Sequence, residues 1–167
     1  ADADQRPLAK AFSAMEEENW ELALELASQD GRIARDVIEW HIHRAQAGTA
    51  QRALEFIKRN PNWPGLPYFK KRSEKSFLDA PMNLRTIFFN ENPPKTALGS
   101  LAFARTLEAS GSYNTAKSVI RNAWQNYEMD DQTQRIFLSS YGSDIMDLNF
   151  KRLREMLWRK DATQVRA

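Results

Sequence analysis

The stretch Ser112–Glu128, SYNTAKSVIRNAWQNYE, constrains the fold of this chain more than any other. Its apolar residues Tyr113, Ala116, Val119, Ile120, Ala123, Trp124 and Tyr127 recur at steps of three and one. At about 3.6 residues per turn they draw one continuous stripe along a helix. Asn114, Lys117, Ser118, Arg121, Asn122 and Gln125 fill the other face with polar groups. Gly111, just upstream, can take the left-handed conformation that closes a preceding helix. The opening Gly-x-Tyr-x-x-Ala sets a large ring one turn from a small residue, so a neighbouring helix can approach closely at the alanine.

The same pattern recurs along the chain. Pro7 fits a first helical turn, and Leu8, Ala11, Phe12 and Met15 follow at helical spacing. Asn19 caps a second helix with Trp20, Ala23, Leu24 and Ala27 inside. After an Asp30-Gly31 turn, a third helix over about 33–47 carries Ile33, Ala34, Val37, Ile38, Ile42 and Ala45. Gly48 stops it and Thr49 caps a fourth. The run Asn60-Pro61-Asn62-Trp63-Pro64-Gly65-Leu66-Pro67 is the strongest punctuation, with Pro67 opening a fifth helix. Pro81 opens a sixth through Leu84, Ile87 and Phe88, ended by Asn92-Pro93-Pro94. A seventh, about 95–110, is apolar over so broad an arc that it needs cover on more than one side. Two more follow Ser112–Glu128, over 131–141 (inner residues Ile136, Phe137, Leu138) and 147–159. No window alternates with period two, so no strand is expected.

The expected fold is therefore all-α, an α-solenoid or superhelix of antiparallel helix pairs, tetratricopeptide-like. The phrases Trp20-x-x-Ala23, Ala50-x-x-Ala53, Tyr113-x-x-Ala116 and Ala162-x-x-Val165 keep an irregular period near the roughly 30–35 residues of a two-helix repeat. Residues 1–167 read as one helical-repeat domain: an N-terminal helix in 1–18, first repeats in 19–60, a proline-punctuated middle in 61–94, later repeats in 95–160, and the start of a further helix in 161–167. Because Asp161 is placed to cap a helix that Ala167 cuts short, the chain reads as a piece of a longer solenoid. An uncapped end would leave an apolar face that promotes self-association. The start Ala1-Asp2-Ala3-Asp4 suits either a mature chain after removal of a targeting segment or a boundary within a longer chain.

Twenty-four basic residues against 22 acidic give a net charge of only +2, too little to argue for nucleic acid. The absence of cysteine excludes disulfide and thiolate chemistry. No apolar run reaches the roughly 18 residues of a membrane span. No phosphate loop, nucleophile elbow, metal motif or cofactor motif is present, so no cofactor is expected. His41 and His43 project about 200° apart on a helix and cannot share an ion. Glu39 and His43 do share a face, but two ligands make no site, and this face reads as half-exposed surface. The acidic runs Glu16–Glu18 and Asp130-Asp131 read as solvated helix ends. Lys70, Lys71 and Arg72 form a basic patch on the fifth helix, which with Arg121 could meet an anionic partner. Trp63, flanked by prolines, suits a wedge in the loop or a stacking platform for a sugar, with the wedge favoured. The other tryptophans read mostly as core.

Several phrases resemble a known family. Glu39-Trp40, Phe56-Ile57-x-x-Asn60-Pro61-x-Trp63-Pro64-Gly65, Arg72-x-Glu74, Asn92-Pro93-Pro94, Ala109-x-Gly111, Ile120-Arg121-x-Ala123-Trp124 and Leu157-Trp158-Arg159 resemble, in order, the N-terminal superhelical (U-type) region of soluble lytic murein transglycosylases. The resemblance spans roughly 20–167, and its most specific part is the Asn-Pro-x-Trp-Pro-Gly loop. It implies a periplasmic cell-wall enzyme that cleaves peptidoglycan glycan strands to 1,6-anhydromuramyl ends. In that family the acid/base glutamate lies in a Glu-Ser motif of a C-terminal lysozyme-like domain. Neither that motif nor that domain is present in this chain, so no catalytic residue carries over. The implied role is a scaffold whose partners are glycan strands, through the parent enzyme, and cell-wall proteins. The alternatives are a stand-alone tetratricopeptide-like module that binds a peptide or protein and, more remotely, a glycosidase using Glu39 or Glu74.

Overall fold

The computed structural model describes residues 6–149, and every regular element among them is a helix. The all-α expectation holds. The helices are α1 (Pro7–Glu16), α2 (Trp20–Gln29), α3 (Arg32–Arg44), α4 (Ala50–Arg59), α5 (Leu66–Ser73), α6 (Met82–Glu91), α7 (Ala97–Ala109), α8 (Tyr113–Asn126) and α9 (Asp131–Ile145). Short 3-10 turns run Glu74–Phe77 and Met146–Leu148. The chain divides between Ser76 and Phe77 into two compact units, a boundary that falls inside the proline-punctuated middle. The expected last helix from Asp147, the Ala162-x-x-Val165 phrase, Trp158 and the uncapped end lie wholly or largely outside the described residues.

In the first unit α1 packs on α2, α2 on α3, and α3 and α4 on α5. Ala11, Ala14, Ala23, Leu24, Ala27, Ala34, Ile38 and Ile42 form the α1–α3 core. So many alanines let helix backbones approach closely, and dispersion gained over the seam replaces the bulk of larger side chains. A second layer is aromatic: Phe56 stacks on Phe69 at 4.3 Å between centroids and meets Trp63 edge-on at 5.2 Å. In the second unit α7, α8 and α9 enclose Leu101, Ile120, Trp124, Phe137, Tyr141 and Ile145, while Phe77 stacks on Phe88 and Phe89 meets both edge-on.

Local chemistry sets the helix ends. The side chains of Asn19, Thr49, Thr96 and Asp130 each accept a hydrogen bond from the backbone N–H three residues on, removing an orphan donor. Gly111, at φ +81°, ends α7 in the left-handed region, as its position suggested. Helix α7 is covered on two sides, burying Ala97, Gly99, Ser100, Leu101, Ala102, Ala104 and Thr106. Its buried Ser100 and Thr106 hydroxyls donate to carbonyls one turn back, so their burial leaves no unpaired donor.

The repeated phrase has a structural counterpart. Trp20, Ala50 and Tyr113 are each the first residue of their helix, and the alanine three residues on is sealed in every case. The ring is not. Tyr113 is 67% exposed because a side chain at the first helical position leans back over the cap rather than into the seam. Ile33, Ile87, Leu138 and Ala45 likewise face solvent, against expectation. Helix α9 continues to Ile145, past the expected end at Tyr141, with non-helical dihedrals at Tyr141 marking a kink.

Candidate functional site

Helix α3 carries two buried arcs. Ala34, Ile38 and Ile42 form an apolar one. Asp36, Glu39 and His43, at 2%, 1% and 1% exposure, form a polar one. This corrects the reading of the Glu39/His43 face as half-exposed surface: its spacing of three and four residues is that of an inward face, made of polar side chains because polar partners await it. Arg59, the last residue of α4, sends Nη2 to Asp36 Oδ1 at 2.8 Å and to Glu39 Oε2 at 3.0 Å. Asn60 Nδ2 donates to Asp36 Oδ2 at 3.0 Å. The knot ties α3 to the start of the proline loop, where Gly65, at φ +78°, turns the chain into α5; a Cβ at this position would stand 4.0 Å from the Trp40 ring.

Burial pushes the Glu39 carboxyl above its usual value, against the pull of Arg59 and Arg35. For Arg59, desolvation is outweighed by its bonds to Asp36 and Glu39, and its pKa rises. His43 Nδ1 lies 3.1 Å from Ser73 Oγ, whose single proton goes to the Phe69 carbonyl at 2.9 Å. Nδ1 therefore carries the ring proton and donates, leaving Nε2 as a bare, unpaired acceptor. Burial, aided by Arg52, pushes the imidazolium pKa down to about 4.

These two groups tilt stability in opposite directions with pH. The His43 contribution is complete above about 6.5 and is lost as pH falls toward 4, because the unfolded chain takes up the proton first. The Glu39 contribution is complete below 4.5 and is lost as pH rises through its raised folded value. E39Q removes the Glu39 slope and leaves that of His43 without its offset. Urea midpoints from pH 6.5 to 4 are expected to fall more steeply in E39Q than in wild type; parallel profiles would refute the assignment.

The sequence-named contacts do not form one group. Arg72 sends Nε and Nη2 to the Arg44 carbonyl at 2.9 and 2.7 Å, capping the end of α3. Lys70 and Lys71 lie on the same helix, half-buried and exposed. Arg121 belongs to the second unit and is engaged there: both its Nη atoms clasp the Asp147 carboxylate at 2.6 and 2.7 Å, and Nη1 also reaches the Asp144 carbonyl at 2.6 Å. Its hydrogen bond lowers the Asp147 pKa. Trp63 is half-buried, its ring meeting Phe56 edge-on.

Periodicity did not single out an open cleft of about 420 Å³ in the first unit, lined by Met15, Trp20, His41, Arg44, Tyr68 and Arg72 with no acidic residue among the lining. Arg44 Cζ sits 4.6 Å from the centroid of the Trp40 ring, a cation–π contact. Burial lowers the His41 pKa, with a further push from Arg44, so at neutral pH the positive charge of the cleft comes from the two guanidinium groups. The sequence held one signal for it, the i, i+3 pair His41 and Arg44 at the end of α3. No group of three or more metal-ligating side chains occurs among the described residues, and no described helix is long and apolar enough to cross a membrane. No family model, curated protein or solved structure matches this chain.

Proposed function

We propose that the chain is the helical scaffold region of a periplasmic soluble lytic transglycosylase, offering a surface to peptidoglycan glycan strands and leaving cleavage to a separate lysozyme-like domain. The reading rests on the ordered phrases in the sequence. One structural observation supports it most: two of those phrases, Glu39-Trp40 and the loop beginning at Asn60, fold against each other through Asp36, Glu39, Arg59 and Asn60. The burial of Glu39 and Glu74, at 1% and 2% exposure, favours a scaffold over a glycosidase, since a general acid must reach the glycosidic oxygen.

The test is co-sedimentation with purified murein sacculi, alongside a turbidity assay. Retention with flat turbidity is expected, and charge reversal at Lys70, Lys71 and Arg72 is expected to reduce retention. Failure to sediment at low salt would overturn the proposal. Loss of turbidity would return catalysis to this chain, and unchanged retention in the reversed variant would remove the basic patch from the role.

A further inference from the structure

The cleft brings two features together. Its two arginines are fixed in place, Arg72 by the Arg44 carbonyl and Arg44 over the Trp40 face, yet among the described residues neither pairs with a carboxylate. Beside them lie the rings of Trp20 and Tyr68, the latter 48% exposed at the rim. Arg72 spends one Nε and one Nη2 proton on the carbonyl; the guanidinium has further N–H groups for a second acceptor, and its plane is already set. The volume is in the range of small-molecule sites, and the wide mouth suits a unit of a chain that continues beyond it.

We propose that this cleft binds an acidic saccharide, a sugar ring lying on the Trp20 and Tyr68 rings with its carboxylate on Arg44 and Arg72. The C–H face of a pyranose carries slight positive charge and complements the negative face of an aromatic ring. A carboxylate gains charge-assisted hydrogen bonds from guanidinium groups, and that of Arg72 is already half-buried and oriented by the Arg44 carbonyl. Nucleic acid would offer rings and charge too, but the chain carries a net charge of only +2. The choice of a muramyl sugar as probe rests on the proposed function; the cleft chemistry does not.

The experiment titrates the ¹⁵N-labelled chain with N-acetylmuramic acid and with N-acetylglucosamine, which share a ring and differ in the lactyl carboxylate. The acidic sugar is expected to shift the Trp20 indole and the Tyr68 and Arg44 amide signals and to bind about tenfold more tightly than the neutral one. Arg44→Gln and Arg72→Gln should each remove most of that difference while sparing the neutral sugar. Tyr68→Ser should weaken both. Arg44 is exposed and among the described residues makes no side-chain hydrogen bond, so its variant tests the cleft even if Arg72→Gln disturbs the end of α3. Equal affinities, shifts confined to other residues, or tighter binding of N-acetylphenylalanine would overturn the proposal. Sacculi that retain wild type and Arg44→Gln alike, with no muramic acid binding, would sink the cleft and leave the scaffold standing. Muramic acid binding without retention on sacculi would do the reverse.

Discussion

Gly48→Ala is expected to destabilise the first unit by about 3 kcal/mol, although it adds a single methyl group. A Cβ on Gly48 would overlap His43 Cε1 and stand 2.5 Å from both ring nitrogens. The ring has little room to retreat: the Phe69 ring centroid is 4.7 Å away, Ser73 Oγ holds Nδ1, and the side chain is 1% exposed. Either the imidazole tilts and loses its one hydrogen bond or the turn into α4 shifts. The backbone of Gly48 is not in the left-handed region, so the cost is one of space rather than of dihedral strain. Urea denaturation of a double-mutant cycle separates the two. In a His43→Ala background the methyl group should cost little, giving a strongly non-additive pair. A Gly48→Ala protein within about 0.5 kcal/mol of wild type would show the contact to be slack.

Gly48 marks where the sequence stopped being readable. It reads as the stop of the third helix near residue 47, but α3 ends at Arg44, and Gln46, at φ +60°, makes the left-handed turn there. The caps at Asn19 and Thr49, the left-handed Gly111 and the double cover of α7 are legible because each rests on local information. That an imidazole would lie against Gly48 depends on α5, whose Ser73 is 30 residues from His43. Polar residues on a helix are assigned to water by pattern, and only a partner elsewhere can overturn that. Asp36, Glu39 and His43 found theirs in Arg59, Asn60 and Ser73. A hint was present: three polar residues at steps of three and four keep the period of a buried face. The cleft was still less legible, since α1, α2, α3 and α5 each supply part of it. Ile33 and Tyr113 erred the other way, at first turns where an apolar side chain can leave the seam without disturbing it.

Arg59→Ala is expected to cost on the order of 3 kcal/mol at neutral pH, more than loss of an exposed ion pair would. Arg59 is itself 28% exposed, but the carboxylates it serves are not, at 2% and 1%. Removing the cation leaves Asp36 with only the Asn60 amide, and leaves Glu39, whose Oε1 already lacks a partner, with no hydrogen bond from Arg59. Since one nitrogen serves both carboxylates, Arg59→Lys can place an ammonium at the same point and should recover part of the loss. Neutralising the acids should recover more: in an Asp36→Asn, Glu39→Gln background the alanine substitution is expected to cost about 1 kcal/mol, because no buried charge is then stranded. Acid should act the same way, the gap between Arg59→Ala and wild type narrowing as pH falls, since a protonated carboxyl needs no counter-charge. Helix α3 brings His41 and Arg44 to the cleft and α5 brings Tyr68 and Arg72, and the knot fastens α3 to the loop that launches α5. Loosening it should therefore weaken muramic acid binding in a protein that is still folded at 25 °C. Full stability in Arg59→Ala, or a gap that widens in acid, would mean that the carboxylates are solvated after all and that packing alone holds the two helices.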